Sequence, residues 1–339
     1  MLGDLEIAVI IPGHEASDTI QSVIRGLPAF VDRIVVVDDG SSDQTGEAAL
    51  ACGDSRVTCL SREHRGGVGA AMVTGLAHIL DTTCDVVVKI DADGQMDPGQ
   101  LASLLSPIVE GGFDYAKGNR FYDRAALADM PLARRLGNMA LSFLTKAASG
   151  YWNVYDPQNG YTSIRRDVLE RLDLDSLDPG YFFENSMLVQ LNIIGARVAE
   201  VPMPARYGQE RSRMKLARVV LVFPWKLLGS GLTRIRLKYF GMDFSPIAVL
   251  LSVGGTMALG GTVYGVYEWL KHALLGLPTP AGQVMLAALP VLFGAQMLLH
   301  ALLLDIAQTP SGLGIRRISA HGQKSHTRFP SKHPRKNRS

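Results

Sequence analysis

Residues 86–98 read VVVKIDADGQMDP. The run 86–90, four of whose five residues are apolar and β-branched, shows no polar–apolar alternation, the pattern of a strand buried on both faces, as in a parallel sheet covered by helices. The run breaks at Asp91 and Asp93, with Gly94 and Pro98 marking the turn that follows. Two carboxylates one residue apart, at the point where a strand becomes a loop, can both turn toward one cavity. Hard divalent cations such as Mg²⁺ or Mn²⁺ take one or two carboxylates and complete their shell with diphosphate oxygens, and Gln95 adds a third oxygen donor or holds a metal-bound water. The plainer alternative is a solvated acidic turn.

The same rhythm extends on both sides. Short β-rich runs at 7–11, 34–37, 57–60 and 115–117 alternate with helical periods at 19–26, 69–80 and 100–109. Repeated βα units predict an α/β domain with a mostly parallel, Rossmann-like sheet whose ligands bind beyond the carboxyl ends of the strands. Three further turns fall there. In VVVDDGSSDQT (35–45), Asp38 and Asp39 are placed to accept hydrogen bonds from a nucleobase edge or ribose hydroxyls, and Asp43 is placed to cap the next helix. In IPGHE (11–15), Pro12 ends the first strand and Glu15 reaches toward the same nucleoside. The glycine-rich HRGGVGAAMVTG (64–75) lacks both the GxGxxG order and a GK[ST] ending, so neither a dinucleotide fold nor a P-loop is supported; phosphate contact by Arg65 and close helix packing stay open.

The 339 residues carry a net charge of only +2, but the halves are opposite. Residues 1–205 hold 16 Lys+Arg against 28 Asp+Glu, and residues 206–339 hold 18 against 4. An acidic head argues against nucleic-acid binding, and a basic, apolar tail argues for a membrane. Segment 244–267 contains no charged residue, and at about 1.5 Å per residue it is long enough to cross a bilayer core of about 30 Å. A second uncharged stretch, 273–304, densest over 284–304, tolerates Pro290 as a kink, and Pro278 and Pro280 turn the pair into a hairpin. Residues 206–238 hold nine Lys+Arg and one acid, and 311–339 hold eight and none, so the positive-inside rule places the head and both ends in the cytoplasm. The division predicted is a catalytic domain over 1–205, basic interfacial helices over 206–243, two spans over 244–307 and a basic disordered tail over 308–339. Gly254, Gly255, Gly260 and Gly261 offer a small-residue face for packing on a second copy. The run 7–11 is too short for a signal peptide. Three cysteines, Cys52, Cys59 and Cys84, in no metal-ligand spacing, argue against a disulfide framework.

Together IPGHE, VVVDDGSSDQT, HRGGVGAA, DADGQMDP, GNRF (118–121), DPQNGYTSI (156–164) and YGQERSRMK (207–215) resemble the family 2 glycosyltransferases of the GT-A fold, and within them the dolichyl- or polyprenyl-phosphate sugar synthases such as dolichol-phosphate mannosyltransferases. The resemblance covers about the first 215 residues. It implies that Asp91, Asp93 and Gln95 hold Mg²⁺ or Mn²⁺ on the donor diphosphate, and that Pro12, Glu15, Asp38 and Asp39 line the nucleoside. It further implies that Arg120, Arg134, Arg135 and Asn138 bind an acceptor phosphate. Arg211, Ser212 and Arg213 fall where the family has a Ser-Lys pair, with Arg213 in place of Lys. Asp156, Gln158 and Asn159 are expected to face sugar or acceptor, and Glu184 stands where relatives acting on hydroxyl acceptors carry a base.

The implied reaction moves a sugar from a nucleotide-sugar, GDP-mannose or a UDP-hexose, to polyprenyl phosphate with inversion. A phosphate monoester has a second pKa near ~6 and needs no strong base. The rivals are transfer to a hydroxyl of a lipid-linked glycan or polysaccharide, and a nucleotide-sugar-binding scaffold without turnover. The absence of any Arg-Trp dipeptide, part of a processive-synthase signature, counts against the processive version of the first.

Overall fold

The computed structural model describes residues 5–122, 132–204, 216–241 and 245–310. Residues up to Ser230 form one compact unit and Gly231–Thr309 a second.

In the first unit the predicted alternation is present. Strands β1 (Ile7–Gly13), β2 (Arg33–Asp38), β3 (Val57–Ser61), β4 (Val86–Lys89) and β5 (Tyr115–Asn119) are joined through helices α1 (Ile20–Gly26), α2 (Thr45–Leu50), α3 (Val68–Leu80) and α4 (Leu101–Val109). Then come α5 (Leu132–Ser149), β6 (Thr162–Arg165), the single turn α6 (Arg166–Leu169), α7 (Phe183–Ile193), β7 (Val198–Pro202) and α8 (Leu216–Ile235). Among the described residues the sheet has the order β3-β2-β1-β4-β6-β5-β7. Only β6 runs antiparallel to its neighbours β4 and β5. The sequence reading omitted β6 and β7, because four or five residues with polar members carry no period that separates strand from loop.

Strand pleating explains why the runs must be uniformly apolar. Ile7, Val9 and Ile11 of β1 pack on one face with Ile20, Val23 and Ile24 of α1 and Leu101, Leu104 and Leu105 of α4. Ala8 and Ile10 pack on the other with Met72, Leu76 and Ile79 of α3 and Met187, Leu188 and Leu191 of α7. Each successive residue therefore meets a helix layer. The α3 layer lies unusually close: a Cβ at Gly75 would stand 2.7 Å from the Ile10 side chain, and one at Gly69 would overlap the Asp178 carbonyl. Helix α8 buries Phe223 and Leu227 with Ala148 and Phe182, Phe223 meeting Phe182 edge-on at 5.4 Å, while Val222, Trp225 and Leu228 stay exposed.

In the second unit the chain makes a turn of π-helix (Arg236–Gly241) and then two long helices, α9 (Pro246–Leu275) and α10 (Ala281–Ala307), each long and apolar enough to cross a membrane. Helix α9 runs beyond the 244–267 reading, so Glu268, Lys271 and His272 occupy its final turns instead of the hairpin tip. The glycine face is split. Gly254 and Gly261 are spent inside the hairpin, where a Cβ would stand 2.8 Å from Met297 Cβ and from the Ala287 carbonyl. Gly255 and Gly260 have no described atom within 4 Å of that position. Near the hairpin ends Arg234 grips Asp305 through two guanidinium nitrogens at 2.7 and 3.0 Å, and the Tyr239 hydroxyl donates to the same carboxylate.

Gly69→Ala is expected to force α3 away from the 178–180 turn and to cost about 1–3 kcal/mol, the range for overpacking a tight core. Thermal unfolding of the detergent-solubilised protein measures it, with Gly255→Ala as the control expected to leave the midpoint unchanged.

Candidate active site

The cleft begins where two strands part. The ladder between β1 and β4 ends at Ile10 opposite Lys89, whereas that between β1 and β2 continues through Pro12 opposite Val37 to Gly13 opposite Asp38. Pro12 has no N–H to donate and stands beyond the end of the β4 ladder. Strand order reverses at β1, so this parting is the topological switch point at which open α/β sheets hold ligands. The turns after β1, β2 and β4 converge on it, and the Thr19 hydroxyl ties the start of α1 to the Ala92 carbonyl at 2.6 Å.

The turns after β1 and β2 interlock. Glu15 takes a left-handed backbone (φ 55°), and its carboxylate accepts from the Ser42 N–H and hydroxyl, both at 2.8 Å, which hold its pKa below the usual range. Asp38 accepts from the Ser41 N–H and hydroxyl. Burial opposes ionisation of Asp43, but hydrogen bonds from the Thr45 hydroxyl and the Ser17 N–H bring its carboxyl down to about 2; it accepts from the Thr45 N–H at the start of α2, although the residue at the cap position is Gln44 and not Asp43 as expected. Asp39 differs from expectation. It is buried, accepts from the Gly66 and Gly67 N–H groups at 2.9 and 2.7 Å, and pairs with Arg62 at 3.0 Å, so its first task is to brace the glycine-rich turn. Gly40 permits this (φ 63°), since a Cβ there would stand 2.7 Å from the Arg65 nitrogen.

The turn after β4 is organised by a residue that sequence reasoning passed over. Lys89 is the last residue of β4 and is buried, its ammonium 2.8 Å from Asp91 Oδ1 and 2.9 Å from Glu184 Oε1 in the first turn of α7. Burial alone would lower its pKa, yet the two carboxylates hold it above the normal lysine range. Gly160 closes over this pair: a Cβ there would fall on Lys89 Nζ and lie 3.0 Å from Asp91 Oδ2. Glu184, expected as a base, is thus committed to Lys89. Asp93 is exposed on the turn, accepts from the Gln95 N–H at 3.0 Å, and stands with Gln95 at the open side. The hard oxygens of Asp91, Asp93 and Gln95 fit Mg²⁺ or Mn²⁺. Among the described residues no group of three or more His, Cys, Asp or Glu side chains gathers for a metal, so further ligands would come from a bound diphosphate and water.

Loop 156–160 forms the far wall. Asp156, expected to face the substrate, is fully buried; it receives the Arg120 fork at 2.8 and 3.0 Å and the Arg120 N–H at 3.0 Å. Arg120 is therefore spent in part on holding the loop. Lys117, fully buried in β5, donates to the Pro157 carbonyl at 2.7 Å. Burial pulls its pKa down to about 8 against the opposing pull of Asp156 and Glu200. Glu200 accepts from the Tyr155 and Asp156 N–H groups, and its carboxyl is raised, burial being the main cause. Gln158 donates to Asn185 at 3.0 Å, and Asn159 accepts from the Tyr161 N–H at 3.0 Å. The signal that could have flagged Lys89 and Lys117 is a lone lysine in an apolar strand, VVVK and YAKGN. Arg134, Arg135 and Asn138 lie on α5 with side chains outside the described residues, and Arg211, Ser212 and Arg213 lie outside them altogether.

Because the folded pKa of Lys117 lies below the ~10.4 of an exposed lysine, the unfolded chain binds the extra proton between about pH 8 and 10. Raising pH through that window therefore favours the folded state through this group, by up to about 1.4 kcal/mol per pH unit. Lys117→Met is expected to flatten this rise, read as the difference in denaturation midpoint between pH 8 and pH 10 for the two proteins.

Residues 8–173 match the family model described as Glycosyl transferase family 2. The chain is 33% identical over 202 residues to a polyprenol monophosphomannose synthase of Mycolicibacterium smegmatis (58% of this chain, 75% of that protein). It is 28% identical over 223 residues to a UDP-N-acetylglucosamine–dolichyl-phosphate N-acetylglucosaminyltransferase of Methanococcus voltae (61% and 88%). The fold is similar to a crystal structure of glucosyl-3-phosphoglycerate synthase from Mycobacterium tuberculosis in complex with Mn²⁺, UDP and phosphoglyceric acid (TM-score 0.51, 26% identity, 68% of this chain and 78% of that one). With the DDGS and DAD turns flanking the switch point of a mostly parallel sheet, the chain belongs to glycosyl transferase family 2.

Proposed function

We propose that this protein is a membrane-anchored, inverting glycosyltransferase that moves a hexose from a nucleotide-sugar, GDP-mannose or a UDP-hexose, onto polyprenyl phosphate. The observation that carries the reading is the acidic turn of Asp91, Asp93 and Gln95 beside the β1/β4 parting, in a chain that also bears two membrane-length apolar helices. Relatives named for dolichyl-phosphate and polyprenol products support the lipid acceptor.

Glu15, Asp38 and the backbone around Pro12 form the wall for the nucleoside, while Asp39 keeps the glycine-rich turn in place. The acidic turn holds Mg²⁺ or Mn²⁺, which when bound supplies charge for the departing diphosphate. The acceptor phosphate oxygen bonds to the anomeric carbon as the bond from that carbon to the diphosphate oxygen breaks, the electron pair leaving with the nucleoside diphosphate. Cations suited to the acceptor phosphate are Arg120, Arg134 and the Arg211–Arg213 stretch, with Asn138 and Ser212 completing the set. Engagement of Glu184 by Lys89 favours a phosphate acceptor over a hydroxyl, because a phosphate dianion needs no base. Basic flanks on both sides of the spans support a cytoplasmic head and cytoplasmic ends.

Incubating purified protein with polyprenyl phosphate, Mn²⁺ or Mg²⁺ and labelled GDP- and UDP-sugars tests this directly. Organic-extractable, mild-acid-labile label from one donor is expected; no lipid label from any donor, with label on a glycan hydroxyl instead, overturns it. Asp93→Ala is expected to reduce turnover at least ~100-fold while leaving the unfolding midpoint within a degree or two, and residual activity insensitive to EDTA would remove the metal from the reading.

A further inference from the structure

The ammonium of Lys89 serves no surface and no obvious packing need. It sits at the end of a β-branched strand, in the layer that contains Val87 and the apolar side of α7, where an aliphatic residue would continue the pattern. It is instead held by two carboxylates, one from the turn that follows its own strand, Asp91 two residues on, and one from a helix distant in sequence, Glu184 ninety-five residues on. Gly160 lacks the Cβ that would otherwise occupy this place, so loop 156–160 lies directly against Lys89, which is buried with Glu184 while Asp91 stays partly exposed. A single positive charge is thereby shared between a carboxylate of the acidic turn and one anchored on a helix.

Resting on the metal-dependent reading above, we propose that Lys89 is a positioning residue of the donor site: pinned by Glu184, its ammonium fixes the Asp91 carboxylate and sets the charge with which the acidic turn meets a divalent cation. Glu184 draws the ammonium partly off Asp91, and Lys89 stops Asp91 from swinging toward Asp93. Two opposite consequences follow from Coulomb's law at short range. Removing the ammonium frees Asp91 and makes the turn more negative, so a bare divalent cation binds more tightly in a geometry that is wrong for turnover. Removing the Glu184 charge leaves the whole ammonium to Asp91 and weakens cation binding.

The test is a Mn²⁺ titration of the full-length, detergent-solubilised protein followed by the EPR signal of free Mn²⁺, with no donor or acceptor present. Sites that persist in Asp93→Ala are subtracted. Lys89→Met is expected to tighten the Asp93-dependent site by about tenfold while lowering turnover by tenfold or more, and Glu184→Gln to loosen it severalfold. Asp91→Asn is likewise expected to loosen the site severalfold in the wild-type background, where the ammonium already offsets part of its charge, and to cost about tenfold or more in Lys89→Met, where the whole carboxylate charge is available to the cation. A strut with only a structural role would weaken binding in both single variants, and that result overturns the proposal. So does an Asp91→Asn loss in the wild-type background equal to that of Asp93→Ala, or a wild type that binds no Mn²⁺ at an Asp93-dependent site. Should Lys89→Met fail to fold, the Glu184→Gln titration and the Asp91→Asn against Asp93→Ala comparison still decide. Because no lipid enters the titration, failure of transfer to polyprenyl phosphate leaves this result standing, and the converse holds.

Discussion

Burial of one ammonium at the carboxyl edge of β4 is the constraint around which the candidate site is built. An isolated charge cannot be withdrawn from water without a partner, and removing one member of a buried pair costs roughly 3–5 kcal/mol. Lys89 therefore obliges Asp91 and Glu184 to stay where they are. Through them it links the acidic turn to the first turn of α7, and through Gly160 it dictates how closely loop 156–160 approaches.

The same logic recurs on the neighbouring strand. Lys117 holds the Pro157 carbonyl, Arg120 forks onto buried Asp156, and Glu200 takes the N–H groups of Tyr155 and Asp156. Loop 156–160 is thus fixed by ionic and charge-assisted bonds instead of apolar packing. Such bonds are directional and rigid, which suits a wall that must present Gln158 and Asn159 reproducibly. The acidic surplus of the head is in part the counter-charge of these buried cations.

Much of the chain's polar chemistry turns out to support backbone. Asp39, Asp43 and Asp156 each satisfy N–H groups that a sharp turn leaves without a partner, and each neighbours a residue that remains closer to solvent. The division of work between Asp38 and Asp39 follows from the pleat of the preceding strand and the turn geometry, which send successive side chains to opposite sides. Adjacent carboxylates cannot both face the same way.

What the sequence by itself determined is whatever rests on local periodicity: the βα alternation, the uniformly apolar strands that demand helices on both faces, the placement of DDGS and DAD at strand ends, and two uncharged stretches of membrane length. These are decided by neighbours within a few residues, so spacing alone reveals them. Only the tertiary structure decided that β6 runs antiparallel between β4 and β5, that Glu184 meets Lys89, that Asp156 faces Arg120, and that Gly254 and Gly261 belong to the hairpin while Gly255 and Gly260 do not. Each depends on a partner that lies 36 to 95 residues away for the ion pairs, or on which side of a helix another helix packs. A carboxylate in a sequence carries no sign of whether an arginine, a lysine or a backbone N–H will reach it first.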